Sequence, residues 1–429
     1  MVSSEHPQTS SPSSETPAPP SIQTPAEAPS VSLPPLPQKP AIEEATFLRL
    51  RGGFDGLLVV VVLLFAFLVA SFPASNADFF RQLAIGRLIL QGQYHFGVDP
   101  FVYTADNDYF VNHSWLFGLL MYGLYRLPAI GDAAVVIFKA LLSASLAVVL
   151  LRGGRRTGQS LWIPAACTAL AVLVVSPRLH LQSVCLSFLF LGVTVWLLTS
   201  VDKGATRLWW LPPLFALWVN CDSWFFLGPL TVALYLVGDL FTPRQPASPA
   251  SASLPGATGW TVLAVGMAAC LVNPHHIHAL TLPPGLGLTP ASGLIEHDAQ
   301  FRALFLSPLG KEYYQPYLGL IVAGLAYWPL VLLGLDSFVA LFMSGQAPWP
   351  RLLVWSGFAL LSLYNARVIP FFAIVAGPIT ASNWLAFAAE RLGTAPRLTR
   401  GWRNWSLGGR TVTVLLGLVL IIATVPGWL

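Results

Sequence analysis

An aspartate stands at the start of a short amphipathic segment that directly follows the first long apolar run. The segment reads NADFFRQLAIGR, residues 76–87, and Asp78 is its only acidic residue. Asn76 or Ser75 is placed to cap a helix, and Asp78 falls in its first turn, where the helix macrodipole favours a negative charge. A carboxylate held in this way can act as a general base, or it can simply pair with Arg81 on a solvated surface and contribute little.

The two sides of this predicted helix differ in polarity. Asp78, Arg81 and Gln82 fall together on one side, and Gly92 is placed to end the helix. We expect the helix to lie in the membrane interface, with Asp78 facing the aqueous mouth of a helix bundle. The predicted apolar side consists of Phe79, Phe80, Leu83, Ala84 and Leu88.

The composition identifies the class of protein. Hydrophobic residues make up 55% of the 429 residues and charged residues 10%, and the mean hydropathy is +0.65. Because a soluble domain carries about a quarter charged residues, the chain is predicted to be an all-α integral membrane protein. A net charge of +4 is too small and too dispersed to indicate a nucleic-acid partner. The four cysteines lack CxxC spacing and indicate neither a disulfide framework nor a zinc site.

The chain divides into a tail and a membrane domain. Residues 1–45 are dominated by Pro, Ser, Thr, Ala and Glu, which predicts a disordered cytoplasmic tail. No short apolar core follows a basic start, so a signal peptide is not expected. Residues 46–429 are predicted to form one polytopic domain, with a first non-cytoplasmic loop over 74–112 and a second long loop over 274–314.

Apolar runs near the bilayer-crossing length of roughly 20 residues recur along the membrane domain, and about eleven to twelve transmembrane helices are predicted. Arg49, Arg51, the stretch RGGRR (152–156) and the arginines of 391–410 should face the cytoplasm, which also places the N-terminus there. One segment leaves the count open, because either 114–127 is re-entrant or interfacial, or RGGRR lies outside. The candidate spans cover 55–72, 114–127, 132–151, 160–176, 180–201, 207–219, 223–241, 259–272, 315–335, 351–364, 368–388 and 411–428.

The few ionisable residues within the later apolar runs are further candidates, since such residues are expensive in a membrane. Arg178 and Asp222 stand between apolar runs, and Arg367 is the only charge from 352 to 389. Alternation of the spans brings all three to the non-cytoplasmic face, together with Asp78. Taken singly, each could anchor a helix at the interface; four charges of both signs favour a shared polar cavity.

Histidines are candidates of a weaker kind. NPHHIH (273–278) carries three, but their spacing matches neither an i,i+4 helical pair nor a zinc-finger frame. A helix-ending Asn-Pro with interfacial histidines is the favoured interpretation, and a metal site the alternative. His113 stands where the chain re-enters apolar sequence, as a structural residue or as a ligand.

Several stretches, in order, resemble a known family. DFFRQLAIGR, VDPFVYT and VNHSWL resemble patterns in bacterial multi-spanning proteins grouped with the GT-C glycosyltransferases: an Asp with an aromatic pair and Gly-Arg, then Asp-Pro-Phe-x-Tyr-Thr, then Asn-His-x-Trp-Leu. LWVNCDSWFFLG is similar to a Trp-x-Asn-x-His-Gly motif, LVNPHH to an Asn-Pro-Tyr-Gly motif and NARVIPFFA to an Arg-x-x-Pro-Phe-Phe motif. The resemblance spans roughly 55–390.

This resemblance implies a GT-C-like fold in the bacterial inner membrane, with an essential acidic residue in the first outside loop. It implies an enzyme that moves a sugar from a polyprenyl-phosphate carrier to a glycan, lipid or protein acceptor at the outer face. Asp78 occupies the matching acidic position, and Asp99 is a weaker second candidate. Gln82 and Asp222 each stand where the family usually has His.

The residue types suit that chemistry. A leaving phosphate needs cationic or hydrogen-bonding partners, for which Arg178, Arg367 and His113 are candidates. Asp78 would act as the base or orient the acceptor, while the bundle would give the prenyl chain an apolar groove. The chemistry permits a divalent metal, and nothing in the sequence requires one. The candidate substrate-binding residues are Arg81, Arg87, Asn112, His113, Trp115, Arg178, Asn220, Asp222, Asn273, His275 and Arg367.

Two other function classes stay open. A transporter or flippase would carry polar residues near the bilayer midplane and weak internal symmetry, whereas the sequence shows no convincing repeat and its polar residues gather at loop ends. A non-catalytic scaffold derived from a GT-C enzyme is the other, and the departures at Gln82 and Asp222 favour it.

Overall fold

The protein is seen in a computed structural model that describes residues 41–73, 76–102, 109–155, 159–200, 205–242, 256–282, 305–314, 321–392 and 400–424. Within these ranges the chain is helical without a β-strand, and the one isolated β-bridge joins Gly97 to Phe110. The predicted all-α membrane class is confirmed. Most of the predicted tail, along with parts of both predicted loops, lies outside the described residues, so the division into domains stays a prediction.

Fourteen α-helices are numbered here in chain order over the described residues. They are α1 Ala41–Val69, α2 Ala77–Leu90, α3 Trp115–Tyr125, α4 Gly131–Gly154, α5 Trp162–Val175, α6 Val184–Thr199, α7 Leu211–Val219, α8 Leu227–Leu240, α9 Gly256–Ala269, α10 Val322–Leu325, α11 Tyr327–Met343, α12 Trp349–Tyr364, α13 Ile369–Leu392 and α14 Arg400–Thr424.

Six helical segments of the described chain are long and apolar enough to cross a membrane, and four shorter apolar helices accompany them. The predicted number of spans was higher because it counted short runs such as 207–219, whose α-helical part α7 has nine residues. The six segments are Arg51–Val69, Gly131–Gly154, Ser223–Leu240, Val322–Met343, Ala366–Arg391 and Asn404–Thr424.

Helix α3 bears on the segment that left the count open. Its 11 residues extend about 16 Å, half of the roughly 30 Å hydrocarbon thickness. It packs along α2 instead. This favours the interfacial alternative for 114–127, with α4 as the single crossing between the predicted loop 74–112 and RGGRR.

Two predicted helix boundaries were wrong. The span expected at 315–335 continues as α11 to Met343, because Asp336 is exposed on the helix surface and does not end it. The span expected at 411–428 begins at Arg400, before Arg410. The Arg410 guanidinium is fully buried, yet its Nε lies 2.7 Å from Asp55 Oδ1 on α1, so the helix can carry the charge inside the bundle.

Helix α13 forms the centre of the bundle. It packs against α4, α5, α6, α11 and α12. Of its most apolar stretch, 94% is buried inside the protein, compared with 28% for that of α14. A central helix of this kind fixes whatever stands at its ends. Arg367 lies just before its first residue.

Helices α2 and α3 cross with their backbones in contact. A Cβ added at Gly86 would lie 2.2 Å from the carbonyl oxygen of Gly118, and one at Gly118 would lie 2.8 Å from that of Gln82. Only glycine allows such an approach. This crossing determines which face of α2 is buried and therefore where Asp78 points.

Candidate active site

The polarity of α2 differs from the prediction. Gln82, expected on the polar side, is 5% exposed, and Phe80, expected on the apolar side, is 62% exposed. The reason is the glycine crossing, which turns Phe79, Gln82 and Gly86 towards the bundle. Asp78 remains exposed, as predicted.

Asp78 is hydrogen-bonded to the segment between α5 and α6. Gln182 Nε2 donates a hydrogen bond of 3.1 Å to Asp78 Oδ2. Asn76 occupies the N-cap position, but its side chain makes no capping bond; its Nδ2 donates to the Leu181 carbonyl at 3.3 Å. The first turn of α2 is therefore tied to residues 181–182 at two points.

Asp222 is the buried counterpart of Asp78, with 3% exposure. Ser183 Oγ donates to its Oδ1 at 2.6 Å and Ser187 Oγ to its Oδ2 at 2.5 Å, while the Trp224 amide donates at 3.4 Å. Burial raises the pKa of Asp222 above its usual value, and the hydrogen bonds from the two serines and the amide partly offset that rise.

Two arginines belong to the same region, one within electrostatic range of the carboxylates and the other within range of the first arginine. Arg367 is within electrostatic range of Asp222 and Asp78, and its guanidinium carbon lies 5.9 Å from the centre of the Trp224 ring. Arg178, which ends the 3-10 turn Ser176–Arg178 after α5, is in turn within range of Arg367. The four charges that the sequence singled out thus lie near one another, at one end of the bundle.

We call this group the carboxylate cluster. It combines an exposed carboxylate, a buried one and two neighbouring guanidinium groups in partly buried surroundings, where charges interact more strongly than in water. The exposed carboxylate can accept a proton from a bound molecule, and the paired guanidinium groups can bind an anion such as phosphate. The carboxylate cluster consists of Asp78, Arg178, Gln182, Ser183, Asp222 and Arg367.

Other candidates form a second group, which joins the chain around Asn112 to the chain around His275. The backbone N–H of Asn112 donates to His275 Nε2 at 3.1 Å. Because Nε2 accepts, the proton of the neutral ring lies on Nδ1, which donates to the Tyr109 hydroxyl at 3.2 Å. Asn112 Nδ2 donates to the Tyr94 hydroxyl at 3.1 Å. Burial lowers the pKa of His275, which favours this neutral arrangement.

Asn220 makes a second connection. Its Oδ1 accepts from Trp115 Nε1 at 3.0 Å, and its Nδ2 donates to the carbonyls of Ala216 and Val272 at 2.7 and 2.8 Å. Asn273 Oδ1 accepts from the His275 amide at 2.7 Å. These amides bind protein atoms, which is what a structural role requires.

His113 makes the third connection. Its Nε2 donates to the Ala279 carbonyl at 2.8 Å, and its ring stacks on Phe225. Burial lowers the pKa of His113, so the neutral ring offers only the acceptor Nδ1 and is poorly suited to a phosphate. We call Asn112, His113, Asn220, Asn273 and His275 the loop latch.

The remaining candidates lie in local structure. Asp99 Oδ1 accepts from the Phe101 amide at 3.0 Å, within its own turn. Arg81 and Asp99 both lie within electrostatic range of the Tyr94 hydroxyl. Arg87 is exposed in the last turn of α2, where a cation complements the macrodipole.

Metal ligands do not converge in the described part of the chain: no three His, Cys, Asp or Glu side chains there are arranged to hold an ion. Among the histidines of NPHHIH, His278 stacks on Tyr109 with ring centres 4.3 Å apart.

Sequence reasoning overlooked Gln182, Ser183 and Ser187, which hold the two carboxylates. All three are neutral, and two stand in the polar stretch RLHLQS (178–183) between apolar runs. The one available signal was that polar residues persist for several positions after Arg178. Their partners lie 35 to 104 residues away, which no local pattern shows.

No family model and no curated protein matches the sequence. Among solved structures, the fold is similar to the crystal structure of the Archaeoglobus fulgidus oligosaccharyltransferase in its apo form, with a TM-score of 0.52 and 12% sequence identity. The match covers 86% of this chain, and the chain spans 56% of the length of that protein. This likeness supports a GT-C-like fold; at such low identity it does not extend to activity.

Proposed function

We propose that this protein is a GT-C-like glycosyltransferase that moves a sugar from a polyprenyl-phosphate carrier to a glycan, lipid or protein acceptor. In this proposal it acts at the non-cytoplasmic face of a bacterial inner membrane. The observation that carries the proposal is that Arg367 lies within electrostatic range of Asp78 and of a second guanidinium group, that of Arg178. The helical fold similar to that of an oligosaccharyltransferase adds support.

The carboxylate cluster suits the two charges that sugar transfer creates. The bond between the sugar C1 and the carrier phosphate oxygen breaks, and the phosphate leaves with the electron pair as an anion. Arg178 and Arg367, which lie within electrostatic range of each other, would bind this phosphate and stabilise its charge.

The acceptor reacts on the other side of the sugar. Its oxygen or nitrogen forms the new bond to C1, and its proton passes to Asp78, the only carboxylate of the cluster that is exposed. Asp222 is buried, and its oxygens accept from Ser183 and Ser187. We therefore assign it to holding Arg367 in place by its charge rather than to proton transfer.

Mass spectrometry of lipids that copurify with the protein tests this function. We expect a polyprenyl-phosphate glycan in wild-type preparations and its loss from an Arg178→Ala, Arg367→Ala double variant that still folds. Uptake of a solute into vesicles without covalent transfer would favour a transporter instead. If no lipid-phosphate sugar copurifies and membranes show no sugar transfer, the protein would be a non-catalytic scaffold.

A further inference from the structure

Consecutive residues of one short segment contact both aspartates. Gln182 donates to Asp78, and Ser183 donates to Asp222. Ser183 Oγ also accepts from Ser114 Oγ at 3.1 Å, which connects it to the start of α3. The exposed and the buried carboxylate are thus joined through a single peptide unit.

We propose that Gln182 is a positioning residue for Asp78 in sugar transfer, a role that rests on the proposed function. Its amide is neutral and cannot take up the acceptor proton. By donating to Oδ2, it fixes the rotation of the Asp78 carboxylate and leaves Oδ1 directed at the acceptor. The proton of the acceptor then moves to Oδ1 without a prior search by the side chain.

The segment is itself held firmly, which a positioning role requires. The backbone N–H of Gln182 donates to the backbone carbonyl of His180 at 2.9 Å. The backbone carbonyl of Gln182 accepts from the backbone N–H of Cys185 at 3.2 Å. Leu181 is bonded to Asn76, and Ser183 is anchored to the buried Asp222. Because both neighbours of Gln182 are held by hydrogen bonds, its side-chain amide offers Asp78 a donor at a defined position.

The first test needs no turnover. Hydrogen exchange of amides 79–82, in the first turns of α2, is measured for Gln182→Ala in full-length protein and again in an Asp78→Ala background. With Asp78 present, Gln182→Ala should speed exchange of these amides about tenfold, because it removes a donor to the carboxylate. In the Asp78→Ala background, Gln182→Ala should change the exchange rates less than twofold. Equal acceleration in both backgrounds would show that Gln182 does not act through Asp78 and would overturn the proposal.

The second test measures transfer from lipid-linked sugars extracted from the source membranes, with products identified by mass spectrometry. Gln182→Ala and the isosteric Gln182→Glu, which lacks the amide donor, should both lower kcat at least tenfold. KM for the lipid should stay within twofold, because the arginines are untouched.

The outcomes separate this role from the proposed function. If wild-type protein transfers no sugar while the exchange test succeeds, the proposed function fails and Gln182 only fixes α2. If wild-type protein is active but Gln182→Glu retains full kcat, the donor has no positioning role, since the shape of the side chain is then sufficient.

Discussion

The carboxylate cluster and the loop latch are both polar, and both join distant parts of the chain, yet they differ in how their polar groups are used. In the loop latch, the side-chain bonds of Asn112, Asn220 and His275 end on protein atoms. In the carboxylate cluster, Asp78 is exposed, and two guanidinium groups lie within electrostatic range of each other. The sequence alone treated both groups as candidate binding residues.

In the loop latch, polar side chains are satisfied by other protein groups, as folding requires. In the carboxylate cluster, an exposed carboxylate and two neighbouring guanidinium groups are suited to a charged ligand. Substitutions in the cluster should therefore lower activity, and substitutions in the latch should lower stability.

The largest effect is expected at Arg367. Arg367→Ala should lower sugar transfer at least 100-fold, because it removes a cation that stabilises the leaving phosphate. Arg367→Lys should recover part of this loss, since it keeps the charge without the planar fork. Arg152→Ala, which removes an exposed arginine from the last turn of α4, is the control. Transfer within twofold of wild type for Arg367→Ala would contradict the assignment.

Asn220 tests the stabilising role of the loop latch. Asn220→Ala should cost about 2–4 kcal/mol of stability, because it leaves a partly buried indole N–H and two carbonyls without this partner. The thermal midpoint in detergent should fall, and any loss of transfer should follow the amount of folded protein. Asn404→Ala, at an exposed position of α14, should leave the midpoint unchanged. An unchanged midpoint for Asn220→Ala would show that these bonds are dispensable.

Two glycines of the α2–α3 hairpin give a smaller, matched comparison. Gly86→Ala should destabilise by about 1–3 kcal/mol, because its Cβ meets the Gly118 carbonyl. Gly123→Ala meets no atom within 4 Å and should stabilise α3 by about 0.5–1 kcal/mol. Thermal midpoints measure both. Equal midpoints for the two variants would mean that the helices do not cross at Gly86.

The smallest effect concerns pH and His275. Because burial lowers its pKa from the usual 6.5, the folded chain favours the neutral ring. The contribution of the ring to stability is complete above pH 6.5 and is lost as the pH falls from 6.5 through the lower pKa of the folded ring. A protonated Nε2 cannot accept from the Asn112 amide, so protection of that amide from hydrogen exchange should fall in acid. His275→Gln, which keeps an acceptor without a titrating ring, should remove this dependence; an unchanged dependence would assign it to a group other than His275.

Charge and hydropathy made the broad outline of this protein predictable. Apolar runs predict a helical membrane domain because a bilayer demands satisfied backbone groups. Isolated charges such as Arg178, Asp222 and Arg367 stand out for the same reason. Of these, Arg367 lies within electrostatic range of Asp78.

The details could not be predicted because they depend on contacts between distant residues. Gln82 is buried because Gly86 and Gly118 allow two backbones to meet, and α14 can start before Arg410 because Asp55 on α1 compensates the charge. Gln182 and Ser183 carry no charge and follow no periodicity. Their importance comes from the aspartates they contact.

We propose that the carboxylate of Asp78 accepts the proton of the acceptor during sugar transfer, and Asp78→Asn removes that base while keeping the shape of the side chain. Asp132 provides the control, because it too stands exposed in the first turn of a helix, α4. In membranes holding equal amounts of each folded variant, transfer of the lipid-linked sugar should fall at least 100-fold for Asp78→Asn, in the range expected for loss of a general base. It should stay within twofold of wild type for Asp132→Asn. Full transfer by Asp78→Asn would contradict the claim.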